Sequence, residues 1–342
     1  MASAEKSILG LAKQVDKDTI NVTDGAFDYL LYNESAVAAQ NNILPLDPEV
    51  GGGAMLRDMK KVGITSGGGL TFIPRADTIG HFLMGALGSS AAPVAEGGSV
   101  TAKRHIFKFA ADQFSLPYYT VRSSPGGLWG EQFKSMRMAA LSFNWQAANF
   151  VRASAALMGL RPTKVTTTSW AASADSGPQF ITTEEKIEVP TASEIKVLSG
   201  ALNIVNSMPL DEQWVVGSYD PDDLDVVSRA ITLSLAIKIT DATLYSKMMY
   251  DPAGGNDWVT GMFREGNIKL TFKSDVLADT AIPYELTFKA NGGAGAAGNV
   301  VWSAEPIAVR AGRTLVMGMT GVFLADDDPI TVELVNLNTV QY

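Results

Sequence analysis

The chain has 342 residues, 46% apolar and 18% charged, and its 36 acidic against 27 basic side chains give a net charge of −9. That apolar share can build a packed core and excludes a mostly disordered polymer, while the acidic balance argues against a protein that grips nucleic acid, because phosphate binding needs clustered Lys and Arg. Cysteine is absent, which excludes disulfides, thiolate metal sites and cysteine nucleophiles, and no apolar run approaches the ~18–20 residues of a membrane helix.

Residues 1–26 read as an N-terminal arm; MASAEKSILGLAKQVDKD sets Lys and Asp too close together for a secretory signal, so synthesis in a cytoplasm is expected. Residues 43–69 read as a long mobile loop with Gly51-Gly52-Gly53 and Gly67-Gly68-Gly69 at either end. GGLTFI then reads as a strand. Asp77 stands where it can cap a helix whose Ile79, Phe82, Leu83, Ala86 and Leu87 share one face and which Gly88 ends. HIFKFAA, LPYYTV, SMRMAALSFNW and NFVRASAALMG follow as strands, and the Thr/Ser-rich residues 166–190 make the natural linker. Beyond it, Ile231, Leu233, Leu235, Ile237 and Ile239 alternate with Thr232, Ser234, Ala236, Lys238 and Thr240, the period of a strand buried on one face. A second helix spans about Asp241 to Tyr250 and stops before Pro252; IKLTFK, ELTFK, RTLVMGMTGVFLA and PITVELVNLN are further strands, with Asn291–Asn299 a flexible turn.

Fragments recur in the same order along the chain. LPYYTV (Leu116–Val121) is echoed by IPYELT (Ile282–Thr287), Leu44-Pro45-Leu46-Asp47 by Met208-Pro209-Leu210-Asp211, Ala76-Asp77 by Thr240-Asp241, and Trp129 with Arg137 by Trp302 with Arg310. Internal repeats of this kind point to a duplicated architecture. The expected fold is mainly β: two tandem antiparallel β-sandwich or barrel cores, residues 27–165 and 191–342, each with one flanking α-helix.

Nothing in the sequence assembles into a reaction. His81 and His105 stand in bland settings, without the several short-spaced ligands that zinc needs. Gly67-Gly68-Gly69 leads into a strand, not into the Lys-Ser/Thr helix start of a phosphate loop. The Asp220–Asp225 run and Asp326-Asp327-Asp328 lack the glycine and distal Glu of a calcium loop, and no GxSxG elbow is present. No enzyme activity, cofactor or metal is therefore expected.

A duplicated β-rich chain with an arm, a long loop and no active site suits a subunit that builds something. The segment EVGGGAMLRDMKKVGITSGGGLTFIPRADTIGHFLMGALG (49–88), with its D-x-I-G-x-x-L-x-x-A-L-G helix, together with SLPYYTVR (115–122) and residues 127–160, resembles the major tail tube proteins of long-tailed bacteriophages. The resemblance covers most of the first 165 residues, and the second copy only through the repeat.

It implies cores joined side by side around a hollow ring, rings stacked through arm and loop, and DNA passing through without specific binding. It also implies a place in the virion tail after assembly in the host cytoplasm, no membrane anchoring, and tape-measure, terminator and tip proteins as partners. The stacking residues it nominates are Gly51, Gly52, Gly53, Met55, Arg57, Lys60, Lys61, Gly67, Gly68 and Gly69, with Trp129, Arg137, Trp302 and Arg310 as core or interface repeats. Family members carry one core and form six-membered rings; two cores per chain imply a trimeric ring with pseudo-sixfold symmetry. Carboxylates lining its wall would repel phosphate. The alternatives are a related terminator, tail-tip or injection-tube protein, a duplicated carbohydrate-binding module stacking sugars on Trp129, Trp302, Trp258 or Tyr118, and an enzyme resting on carboxylates such as Asp112 and Glu131.

Overall fold

The computed structural model describes every residue except 1–3, 48, 50–54, 113, 166–169, 171–174, 190–193, 241, 254, 256, 291–297, 308–313 and 325–327. The chain opens with β1 (Ile8–Lys13), β2 (Asp28–Tyr29), β3 (Glu34–Ser35), β4 (Ala38–Pro45) and β5 (Met59–Phe72), then helix α1 (Ile79–Leu87). β6 (Gly88–Ser90), β7 (Val94–Ala95), β8 (Lys103–Phe109), β9 (Tyr119–Ser124), β10 (Gly130–Gln146), β11 (Arg152–Gly159) and β12 (Pro162–Val165) follow. The second half holds β13 (Ile181–Glu188), β14 (Val197–Ser207), β15 (Ser228–Lys238), helix α2 (Thr243–Met249), β16 (Lys269–Asp279), β17 (Ile282–Ala290), β18 (Val300–Ala304), β19 (Val316–Phe323) and β20 (Ile330–Asn336).

Period-two alternation places these strands in two antiparallel sheets. In β15, Ile231, Leu233, Leu235 and Ile237 are buried while Thr232, Ser234 and Ala236 face outward. The long sheet runs β18-β19-β15-β14-β10-β11-β5-β3, with β4 continuing β3 along the same edge of β5, and β9, β1, β2 and β12 grouped at the N-terminal end of β10. The second sheet runs β13-β16-β17-β20-β8-β6, with β7 also on β8. They pack face to face through Phe143 on Phe288 (4.9 Å) and Trp145 on Phe272 (5.2 Å), and α1 is seated by Phe82 against Phe72 (4.5 Å). The fold is the expected mainly β one with two helices.

The halves do not stand apart. β10 pairs with β14 and β8 with β20, and one hydrophobic cluster takes residues from both halves, so the boundary expected at 166–190 separates no two cores. Part of that expected linker is β13, an edge strand on β16. The expected arm supplies β1, whose buried Leu9, Leu11 and Ala12 hold it against β9; hydrophobic burial outweighs the polar residues on either side of it. The expected loop 43–69 is mostly hairpin, because Ala38–Pro45 pairs with residues 59–67. Gly67-Gly68-Gly69 lies inside β5, where φ at Gly68 is +152° and any side chain would strike the Ala36 carbonyl, so the triplet serves a close backbone approach within a strand. Gly51–Gly53, Arg310, Asp241 and most of Asn291–Asn299 lie outside the described residues.

Helix α1 is buried on the face expected and is ended by Gly88 at φ +93°, whose N–H reaches the Met84 carbonyl. Its N-cap is Thr78, without a side-chain cap bond, and not Asp77. Burial and the nearby Asp175 and Asp28 raise the Asp77 carboxyl above its ordinary range. His81 does have an acid: Asp28, brought from β2, lies 2.5 Å from its Nε2. Both histidines pack edge-on against Tyr342, whose hydroxyl donates to the Asp77 carbonyl and accepts from Asn336 Nδ2. The Tyr342 ring lies directly on Gly80, where a Cβ would overlap it.

Gly80→Ala should therefore lower the unfolding temperature, overpacking costing about 1–3 kcal/mol. In a Tyr342→Ala background the same change should become neutral or stabilising, because alanine then contributes its helix propensity of ~1 kcal/mol. Thermal unfolding of the four proteins checks both.

Candidate assembly surfaces

The β4–β5 hairpin stands out from the body and carries apolar side chains into solvent. Ile43, Leu44 and Leu46 on one side and Met55, Leu56 and Met59 on the other are exposed, Met55 to 85%. Such a cluster on an isolated subunit marks a surface that another protein covers. Lys60 and Lys61 alternate along the same hairpin, and Lys60 makes a loose exposed pair with Asp58 at 3.9 Å. The hairpin's base is braced by the segment between β14 and β15: the Trp214 ring lies on Gly63, and the Ile64 N–H donates to the Tyr219 carbonyl at 2.9 Å. Of the nominated residues, Met55, Arg57, Lys60 and Lys61 thus gather on one projection, while Gly67–Gly69 sit at its root in the long sheet.

The long sheet has two ends. At one, β3 and β4 pair with β5 and with no further strand among the described residues. At the other, β18 is paired with β19, and its outer edge is held at its start by residues 263–265: the Trp302 N–H donates to the Phe263 carbonyl at 2.9 Å and the Glu265 N–H to the Val300 carbonyl at 3.0 Å. From Ser303 onward no strand among the described residues takes that edge. The second sheet ends in β13 and in β6 with β7. On β13, burial pushes the Glu185 carboxyl up to about 7, and a charge held awkwardly on an edge strand discourages wrong pairing.

The two open faces differ in chemistry. On the long sheet the outward positions are Thr71, Ser154, Ser142, Asn203, Thr232 and Val322 in one row and Arg152, Asn144, Ala201, Ser234, Thr320 and Ser303 in the next. Their hydroxyls partner one another, Ser142 with Ser154 at 2.7 Å and Ser234 with Thr320 at 3.5 Å. Beside Arg152, charges enter at the margins, at Glu34, Lys238 and Glu305. The second sheet instead presents an ion-pair ladder: Lys289 to Glu333 at 2.5 Å, Arg104 to Glu333 at 3.4 Å, Lys273 to Glu285 at 3.6 Å and Lys108 to Asp328 at 2.5 Å. No arrangement of residue types in the sequence alone announces this contrast; it emerges from register.

The remaining candidates are structural. Arg137 is buried, donates to the Leu224 carbonyl at 2.5 Å and stacks on Tyr118, whose hydroxyl donates to Asp223 at 2.7 Å, so this group pins the Asp220–Asp225 turn. Trp302 is wholly buried with its Nε1–H spent on the Glu265 carbonyl, which removes it as a sugar platform. Trp129 is 40% exposed ahead of β10 and is not its counterpart. Trp258 is exposed and Asp112 caps its own turn at Phe114. Among the described residues no cluster of three His, Asp or Glu could hold a metal, and no helix is long and apolar enough to cross a membrane.

A carboxyl whose folded pKa lies above its unfolded value keeps its proton better in the native chain. The Glu185 contribution is therefore full below about pH 4.5 and is lost as pH rises towards about 7. Glu185→Gln should match the parent in urea unfolding at pH 4 and exceed it at pH 8; equal curves at pH 8 would remove the burial account.

No curated protein matches the chain in sequence. The sequence profile of phage tail tube proteins matches residues 6–255, well over half of the chain and including the hairpin, α1, β10 and the β10–β14 pairing. By that match over most of its length, this chain, with its two antiparallel sheets, belongs to the phage tail tube protein family.

Proposed function

We propose that the protein is the repeating, non-enzymatic subunit of a phage tail tube in the virion, assembled in the host cytoplasm, in which three chains close edge to edge into a ring with pseudo-sixfold symmetry. Rings stack through the β4–β5 hairpin, and DNA passes through the channel during ejection without being specifically bound. Tape-measure, terminator and tip proteins are the expected partners at the channel and its ends.

The observation that carries this reading is the order of the long sheet. Taken with β4 for its edge, it is β4-β5-β11-β10 followed by β14-β15-β19-β18, the same four-strand run twice. A helix follows β5 and another follows β15. Each chain thus supplies two ring units already joined, and three chains supply six. A closed ring leaves no bare edge, which is the general remedy for the aggregation hazard of an open sheet.

The neutral face of the long sheet is the wall we assign to the channel, in place of the carboxylate lining expected from net charge. Its short hydroxyl, amide and methyl groups give phosphate little to bind and no dense charge to be held off by, Arg152 opposite Asn144 being a cation within these rows. The ion-pair ladder of the second sheet then faces solvent, where charge favours solubility.

Negative-stain microscopy of the purified protein should show rings or hollow tubes, and native mass measurement should give a ring of three chains. Met55→Asp combined with Leu56→Asp should leave the circular dichroism of the subunit unchanged and abolish tube growth; normal tubes from this variant would reject the hairpin's stacking role. Ser234→Lys should assemble normally, and phage carrying it should eject DNA more slowly; unchanged ejection kinetics would remove the neutral wall from the channel.

A further inference from the structure

We propose that the seam between neighbouring chains pairs Ser303–Glu305 of one copy antiparallel with Ala38–Gln40 of the next, Ser303 standing opposite Gln40. In that seam Asn41 of the second copy caps the Trp302 carbonyl of the first. This rests on the ring reading above and adds the partner edge and its register.

The chain contains a finished seam to copy from. Along one edge of β10, Glu131–Met136 is held by β9, and Ala140–Gln146 is then taken by β14. The outer edge of β18 is divided in the same way: residues 263–265 hold Val300–Trp302, and no strand among the described residues takes the edge beyond. β14 lies on β15 where β4 lies on β5, so the strand that should fill the gap is β4 of another copy.

The ladders transfer the register residue by residue. β11 and β19 are both eight residues long, and laying Ala153 on Met317 makes their partners Phe72 and Ile237 equivalent, all four being buried. Along the same strands Ala156 falls on Thr320, so their partners Ala140 and Ser303 correspond, and Leu157 falls on Gly321, so Met138 corresponds to Trp302. Continuing along β5 and β15, Ile64 falls on Arg229, and their partners Asn41 and Asn206 correspond, as do Gln40 and Val205. Ala140 faces Val205 in the internal seam. Ser303 therefore faces Gln40 in the external one.

Two details agree. Asn206, 1% exposed, donates to the Met138 carbonyl at 3.0 Å; Asn41 is the same residue type at the same place but exposed, and the carbonyl equivalent to Met138's is that of Trp302. The Glu305 N–H is spent on Gly318, so the N–H positions facing the open edge are those of residues 304 and 306, and residue 306 is proline. That shortens the reactive edge, a guard against pairing with the wrong strand.

Because Ser303 points its backbone towards β19, its pair with Gln40 is of the non-hydrogen-bonded kind, with Cα atoms about 4.5 Å apart. That lies within the span a disulfide bridges, and the chain has no cysteine of its own to interfere. Assembled Ser303→Cys/Gln40→Cys protein should oxidise to reducible, covalently closed rings whose chain number is read on a denaturing gel. Ser303→Cys/Ala39→Cys, shifted by one residue to the opposite face, should give little product. Asn41→Ala should keep the subunit's unfolding midpoint and raise the concentration needed for assembly, whereas Asn206→Ala should lower that midpoint. Tubes that form without the Ser303–Gln40 link, or that link equally through the shifted pair, overturn the register and leave the tube reading standing. A parent protein that stays monomeric at high concentration overturns both.

Discussion

An unpaired strand edge leaves alternate N–H and C=O groups without partners, and the organisation of this chain follows from where such edges are closed and where they are left. The β10–β14 ladder closes one inside the chain. It is locked by Asn206, which donates to the Ala86 and Met138 carbonyls, and by Arg229, which donates to Ala86 at 2.5 Å, binds Asn206 Oδ1 through Nε at 2.8 Å and stacks on Phe109 at 3.7 Å. Burial lowers the Arg229 guanidinium to about 10, yet the C-terminal carbonyls of α1 present the partial negative charge that a cation satisfies there. Helix, first-half strand and second-half strand are thereby tied at one point. Ile64 occupies the equivalent position in the first half and offers no such clamp, so the seam proposed on β4 would be the weaker of the two and suits an interface formed after folding.

The two sheets divide the remaining work by chemistry. Surface ion pairs contribute ~0–1 kcal/mol each, so the ladder around Glu333 and Arg104 says more about what the second sheet faces than about how firmly it is held. The long sheet draws its stability from its other side, where Phe143, Trp145, Leu202 and Leu233 are buried, and its outward hydroxyls are satisfied by one another. In the proposed channel, a polymer sliding past it would meet groups that are short and hydrogen-bonded to one another.

Much of the fold was legible because strands buried on one face write their period into the sequence: β15, β16, β19, β20 and the buried stripe of α1 could be read directly. What was illegible depended on distant partners. β1 and β14 carry weak alternation and become strands because β9, β10 and β15 offer them edges; β13 is polar and is held by β16 on one side and by bridges at Phe150 and Glu194 on the other. The glycine triplet at 67–69 looked like a loop boundary, since nothing local reveals that the Ala36 backbone presses against Gly68. The fragment echoes were uneven guides. Leu44-Pro45 and Met208-Pro209 close or follow β4 and β14, which hold equivalent places, whereas LPYYTV and IPYELT fall in different sheets, and Trp302 answers to Met138 instead of Trp129. Short apolar-aromatic fragments recur wherever strands are buried; ladder positions do not.

In the proposed ring, carrying two units on one chain changes the thermodynamics of closure. Each intermolecular association costs roughly 4–15 kcal/mol in lost translational and rotational freedom before any contact is rewarded. A ring of six single units meets that cost at every seam but one before the last closes on itself. In the proposed ring of three, half of the seams are β10–β14 ladders formed during folding, where the partner strand is tethered at high effective concentration. The remaining seams can then be individually weak, short-edged and slow to form alone, with Pro306 limiting β18 and Asn41 waiting in solvent, without preventing a closed ring. The covalent linkage thus permits edges poor enough to keep free subunits apart, a property that a one-unit chain would have to obtain at the expense of its own ring.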